Sequence, residues 1–233
     1  MNAHTTELRE SAVELEKGKI RVRAGFRIGS GELLAGGPVE MEFFVESYGL
    51  HPLQLAVAGD RMRQRPGQFR FTATFEGSLL ADPMADVPYM GGPEGVVKVS
   101  SDAPWHQPLV LNQFVQLEHT RERLTNGSKG RMNLECRRPF CLTDTTAAAL
   151  SHDGAQELVV NLAFDLRRDD DALETLIARL FENVMQGPPE SREWPLVLLL
   201  SMRTAAKTHI RALARHPDPY VAERARQTVA MSM

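Results

Sequence analysis

The sequence predicts an antiparallel β-sandwich followed by a small C-terminal helical subdomain, and three observations carry that expectation. Up to residue 167, apolar residues recur at every second position in short segments. Clusters of Gly, Pro, Asn and Asp separate those segments. Beyond residue 168 the apolar period changes to 3.6. Alternation of this kind implies antiparallel sheets with one wet face each, and about eight such strands without helices between them imply two sheets packed face to face.

In chain order, residues 1–18 read as an N-terminal extension. Residues 19–28 place Ile20, Val22, Ala24, Phe26 and Ile28 on one side, with Lys19, Arg21, Arg23 and Arg27 on the other. Residues 39–47 place Val39, Met41, Phe43 and Val45 inward and Glu40, Glu42 and Glu46 outward, with Phe44 interrupting the polar face. If these strands are antiparallel neighbours, the Arg row meets the Glu row, and each such pair favours the register by about a few tenths of a kcal/mol. The alternation returns in residues 69–75, in 131–137 (Met132, Leu134, Cys136) and most clearly in 157–167 (Leu158, Val160, Leu162, Phe164, Leu166). Weaker strand candidates are 53–58, 96–100 and 108–117, and no helical period appears before 167.

A helix capped by Asp171, with Glu174 three residues on, then carries Leu173, Leu176, Ile177, Leu180, Phe181 and Val184 until Gly187, Pro188 and Pro189 end it. A second helix is expected from about Trp194 and Pro195 to Arg215, and a third from Tyr220, across the tight link His216-Pro217-Asp218-Pro219. The domains expected are therefore the extension 1–18, a sandwich over 19–167, and a cap of about three helices over 168–233.

The run of features VEMEFFVESYG, HPLQLAVAGD, RFTATFEG, PYMGGPEG, PLVLNQF and GRMNLEC resembles the immunoglobulin-like sandwiches of bacterial proteins, including those similar to intracellular proteinase inhibitors. Two features depart from such domains: Arg131 stands where a Tyr is common, and the Cys, Trp, Cys trio of antibody domains is absent. The segment RALARHPDPYVAERARQTV is similar to the join inside a HEAT-type helical repeat. A solenoid needs several such units. One unit therefore reads as a cap. The inhibitor-like resemblance implies inhibition, with the 84–90 segment presented to a partner.

Composition names no partner. The 233 residues hold 27 Lys+Arg against 30 Asp+Glu, a net charge of −3, which gives no global attraction to nucleic acid or to an anionic membrane. The longest apolar run, 194–200, is far short of the ~18 residues a spanning helix needs. Residues 1–16 lack the apolar core of a secretory signal, so a cytoplasmic protein is expected. Cys136 and Cys141 have no partner ligands at zinc spacing and read as core or turn residues.

Catalytic constellations do not assemble from the sequence. The seven histidines are scattered, and no HExxH, GxSxG, Walker loop or GxGxxG opening a helix is present. The acids Asp169, Asp170 and Asp171 lack the Gly and distal Glu of a calcium loop and suit a helix N-terminus instead. No cofactor is expected.

Three features remain as candidates for binding. The loop 81–95 gathers Met84, Val87, Pro88, Tyr89 and Met90 in a Pro- and Gly-rich segment that, if exposed, suits protein contacts; the alternative is that it folds back over a sheet edge. Arg61, Arg63 and Arg65 alternate in a second loop. The cations Arg203, Lys207, Arg211 and Arg215 recur every fourth residue along the expected second helix, and could meet an acidic protein surface or form a solvated face. No aromatic residues interleave with them to stack bases, which argues against single-stranded nucleic acid. The expectation is a non-catalytic protein-binding module engaging a partner or its own copy. A structural subunit of a larger assembly and an enzyme of unrecognised type are the alternatives.

Overall fold

Alternation becomes strand wherever one face can be buried, and the computed structural model follows the sequence closely in this respect. It describes residues 8–17, 20–49, 52–60, 65–66, 69–86, 91–140 and 156–231. The strands run β1 (Glu10–Lys17), β2 (Ile20–Ile28), β3 (Glu40–Ser47), β4 (Leu53–Asp60), β5 (Arg65–Pro66), β6 (Arg70–Phe75), β7 (Ser78–Leu80), β8 (Gly91–Val99), β9 (Trp105–Val110), β10 (Lys129–Phe140) and β11 (Gln156–Arg167). The helices are α1 (Glu118–Glu122), α2 (Asp170–Gln186), α3 (Pro189–Ser201), α4 (Lys207–Leu213) and α5 (Pro219–Met231). The protein is thus mixed α+β, with sheets ordered β1-β2-β3-β9, β11-β10-β6-β7 and β5-β4-β8.

Four expectations change here. β1 lies inside the region read as an extension and pairs antiparallel with β2, Glu16 opposite Arg21 and Ala12 opposite Gly25. A Cβ at Gly25 would stand 2.3 Å from the Ser11 carbonyl oxygen and 2.6 Å from Ala12 Cα, so glycine is what lets β1 approach this closely. The loop expected over 81–95 yields its last residues to β8, which starts at Gly91. The strand expected over 108–117 ends at Val110 and gives way to a 3-10 turn at Leu111–Gln113 and then to α1, so helix does occur before 167. Asn112 fixes that turn: its buried amide accepts from Val39 N–H (2.9 Å) and donates to the Gly37 carbonyl (2.9 Å).

The chain divides into two compact units. One comprises residues 1–30, 40–109 and 131–164, and the other 31–39, 110–130 and 165–233. The second unit therefore recruits two earlier segments that a single cut near 168 leaves with the sheets.

In the first unit, β2 and β3 pair antiparallel with Arg23 opposite Glu46 and Arg27 opposite Glu42. Arg23 bonds Glu46 at 3.1 Å and also Glu10 of β1, while Arg27 reaches Glu42 at 2.9 Å. Phe44, the interruption on this polar face, is fully buried beneath the guanidinium groups of Arg23 and Arg27, 4.9 and 5.4 Å from its ring centre. On the opposite face Phe26, Phe43 and Trp105 meet Phe69 and Phe71 from the start of β6, with ring centres 5.0 to 5.8 Å apart along the chain of contacts. Arg138 of β10 is buried among these rings, its guanidinium 4.5 Å from Phe43, 5.2 Å from Phe69 and 5.5 Å from Trp105. Burial pulls its pKa down to about 9.

The second unit is built on the apolar stripe of α2. Leu173, Ile177, Leu180 and Val184 pack with Leu196, Leu199 and Leu200 of α3 and with Ile210, Leu213, Val221 and Ala225 further on. The cap of α2 is Asp169, whose carboxylate accepts from Ala172 N–H at 3.0 Å, rather than Asp171. Asp170 holds Arg121 and Arg168, which in turn donates to the Arg121 and Leu124 carbonyls at 3.2 and 2.6 Å. These two cations hold the Asp170 carboxyl down at about 2, chiefly through the Arg168 hydrogen bonds.

The single helix expected over 194–215 is two. α3 begins earlier, with Pro189 in its first turn and Pro195 inside it, and stops at Ser201. The backbone then turns through i to i−3 bonds, Met202 N–H to Leu199 O (3.3 Å) and Ala205 N–H to Met202 O (3.0 Å), before α4 resumes at Lys207.

Candidate functional site

The break between α3 and α4 forms a concavity whose lining includes three cations. Arg203 sits in the break with φ +40°, a left-handed backbone that L residues adopt at a cost of about 1 kcal/mol or more. Met202 and Ala206, on either side, are buried at 1% and 0% exposure, so tertiary packing holds the turn open where no Gly or Pro marks it. The link after α4 then brings α5 back alongside. His216 Nδ1 accepts from Asp218 N–H at 3.0 Å, and the Asp218 carboxylate accepts from Tyr220 N–H at 2.9 Å, which starts α5.

The result is a small, open cavity of about 40 Å³ lined by Arg203, Thr204, Lys207, Ile210, Arg211, Thr228 and Val229. Three of these residues are cations and none is an acid. Lys207 and Arg211 are exposed and take part in no ion pair among the described residues. Ile210 is buried and forms an apolar wall with Val229. The Thr228 hydroxyl donates to the Arg224 carbonyl at 3.0 Å, whereas Thr204 is exposed with its hydroxyl open to a ligand. Such a site attracts an anion and excludes a cation.

The structure brings together three of the four cations singled out in the sequence, and for a different reason than helical spacing. Arg203 lies outside both helices, Lys207 opens α4 and Arg211 follows one turn on. Arg215 is exposed beyond the end of α4 and does not line the cavity. Thr204, Thr228 and Val229 were not legible as site residues, since only the α4–α5 hairpin brings position 228 beside 204.

The other candidates fare differently. Met84 is buried at 6% exposure, with its N–H bonded to the Asp82 carboxylate at 2.8 Å, so it is a packing residue and not an exposed contact. Val87, Pro88, Tyr89 and Met90 lie outside the described residues, as do Arg61 and Arg63. Arg65 falls in β5. Asp169 and Asp170 are committed to the cap and to Arg121 and Arg168. His106 contacts Glu42 on the exposed face of the first sheet, beside Arg27. Cys136 is buried, and burial pushes its thiol pKa up, away from the reactive thiolate. No described helix is long and apolar enough to cross a membrane. No protein-family model, curated protein or solved structure matches the chain.

Proposed function

We propose that this chain is a non-catalytic protein-binding module, in which the β-rich unit is an immunoglobulin-like sandwich acting as scaffold and the helical unit holds an acidic segment of a partner protein. The observation that carries this reading is the cavity of Arg203, Lys207 and Arg211, three cations with no lining carboxylate. The scaffold role is supported by the ring contacts that join Phe26 and Phe43 to Phe69 and Phe71. The inhibitor-like version, which needs the 84–90 segment presented, loses Met84 as a contact because that side chain is buried.

A non-catalytic role also fits the chemistry at hand. The four described histidines make structural contacts: His216 in the α5 cap, His209 against the Phe181 ring at 5.0 Å, His106 on Glu42, and His119 with Glu122 at 3.5 Å. The described thiol, Cys136, is buried and shielded from nucleophilic chemistry.

Self-association is the second reading, and one observation favours it. α2 carries an open, mostly acidic face of Asp171, Glu174, Arg179 and Glu182, complementary in sign to the cavity. Affinity capture from lysate of the source, comparing the native chain with a Lys207→Glu, Arg211→Glu variant, tests the first reading. A partner captured by the native chain and lost from the variant is expected. Equal capture by both sinks the cavity as the binding surface. Light scattering decides the second reading, for which the native chain forms oligomers that the variant does not.

A further inference from the structure

We infer that the α3–α4 break is a hinge through which two copies of this chain exchange their α4–α5 hairpins, an inference that goes beyond the reading above and holds whatever the nearby cations bind. In the exchanged dimer the hinge straightens, one helix runs over 189–213, and each hairpin packs on α2 and α3 of the other copy. The first argument is that the hinge is written as helix. Met202, Arg203, Thr204, Ala205 and Ala206 include no Gly or Pro. An apolar stripe also stays in helical phase across them, through Leu196, Leu199, Leu200, Ala206, Ile210 and Leu213.

The second argument is strain. Arg203 closes the turn at φ +40°, in the position just past the end of α3 that Gly or Asn usually fills. In a continuous helix the same residue takes an ordinary right-handed backbone. The hydrogen bonds of the turn point the same way. Met202, Arg203 and Lys207 N–H reach back three residues to the Leu199, Leu200 and Thr204 carbonyls at 3.3, 3.4 and 3.3 Å, which is long for such bonds. A straight helix replaces them with i to i−4 bonds.

The third argument is that exchange keeps the core. Ile210, Leu213, Val221 and Ala225 belong to one apolar cluster with the inner faces of α2 and α3, and a second copy offers those faces unchanged. The bonds that build the hairpin's link, from Asp218 N–H to His216 and from Tyr220 N–H to Asp218, lie within the hairpin and travel with it. What differs between the two states is therefore the hinge, and the hinge is strained in the closed one.

The experiment is size-exclusion chromatography with light scattering on the full 233-residue chain, refolded from urea at low and at high concentration. The native chain refolded at high concentration is expected to give a dimer that persists after dilution, because each hairpin must leave its core before the copies part. Arg203→Gly closes the turn without strain and weakens the helix that replaces it, at two hinges per dimer, so its dimerisation constant is expected to fall at least about a hundredfold. Arg203→Ala removes the side chain but keeps its Cβ and favours helix, and should dimerise at least as strongly as the native chain. Equal dimerisation by the Arg203→Gly and native chains overturns the exchange. So does an equal fall in Arg203→Ala, which makes the side chain and not the backbone the cause. A dimer that parts at once on dilution and is lost in the Lys207→Gln, Arg211→Gln double variant is a surface contact between copies; it overturns the exchange and leaves the self-association reading standing. A monomer at every concentration overturns both and leaves the acidic-segment reading in place.

Discussion

Positive charge is matched across the β2–β3 face and left unmatched at two positions around the α3–α4 break. On the β2–β3 face every arginine meets acid across the strands: Arg21 with Glu16, Arg23 with Glu10 and Glu46, and Arg27 with Glu42. The same holds for Arg137, between Glu135 and Glu157 at 2.7 and 3.1 Å. In the helical unit, Arg121, Arg167 and Arg168 are likewise paired, with Asp170 and Glu32 among their partners. Around the α3–α4 break, however, Lys207 and Arg211 are left unmatched in a cavity without acid. Charge in the first unit specifies which strand lies beside which. Charge left over around the α3–α4 break is what the proposed binding role would use.

The largest effects should come from the cores, where the contrast is one of packing rather than charge. Phe43 is fully buried and touches Phe26, Phe69, Trp105 and the Arg138 guanidinium. Phe43→Ala is expected to cost about 3–5 kcal/mol, because it opens a cavity and also strips Arg138 of its nearest ring. Leu199, fully buried in the helical core, should cost about 2–5 kcal/mol as Leu199→Ala. Urea denaturation followed by tryptophan fluorescence checks both. A Phe43→Ala cost below about 1 kcal/mol would mean the ring cluster is not the centre of the β-rich unit.

The sheets were legible because their signal is local. Where both parities differ sharply, as in Leu158 to Leu166, the strand could be read directly, and the Arg and Glu rows of β2 and β3 gave the pairing as well. β1 escaped because Ser11, Ala12, Val13 and Leu15 are only half-buried, so its alternation is muted. Arg138 escaped for the opposite reason. It continues the inward parity of Met132, Leu134 and Cys136, but an arginine at such a position does not announce that three rings will surround it. The α3–α4 break was invisible, since Met202 to Ala206 contain no Gly or Pro and the turn is imposed by burial on both sides. The candidate site was accordingly half legible. Its cations repeat at a visible spacing, while the cavity depends on tertiary contacts.

Smaller effects are expected at the start of α2, where one acid caps and its neighbour clamps. Asp169→Ala should cost about 1 kcal/mol by removing the acceptor for Ala172 N–H. Asp170 gives a pH signature instead. Its folded pKa of about 2 lies below the ordinary value of about 3.9, so the ionised form favours the folded state fully above about pH 4. That contribution fades as the pH falls from about 4 to 2. The stability of the native chain, followed by circular dichroism in urea, should therefore fall across this window by more than that of Asp170→Asn. Parallel pH curves for the two would remove Asp170 from the clamp on Arg121 and Arg168.

The smallest effects sharpen the charge comparison most directly. Arg23 and Glu46 are about one-third exposed, so a double-mutant cycle with Arg23→Ala and Glu46→Ala should give a coupling of about 0.2–1 kcal/mol, reduced in high salt. The Tyr48 hydroxyl donates to the same carboxylate at 2.8 Å and helps hold Glu46 below the usual range, so part of its stabilising effect survives the loss of Arg23. Lys207→Gln and Arg211→Gln, by contrast, should leave stability within about 0.5 kcal/mol of the native chain, because both are exposed and no acid among the described residues pairs with them. If either variant instead costs more than about 1 kcal/mol, that cation supports the fold in the same way as the sheet arginines. The difference between the two units would then be one of position and not of purpose.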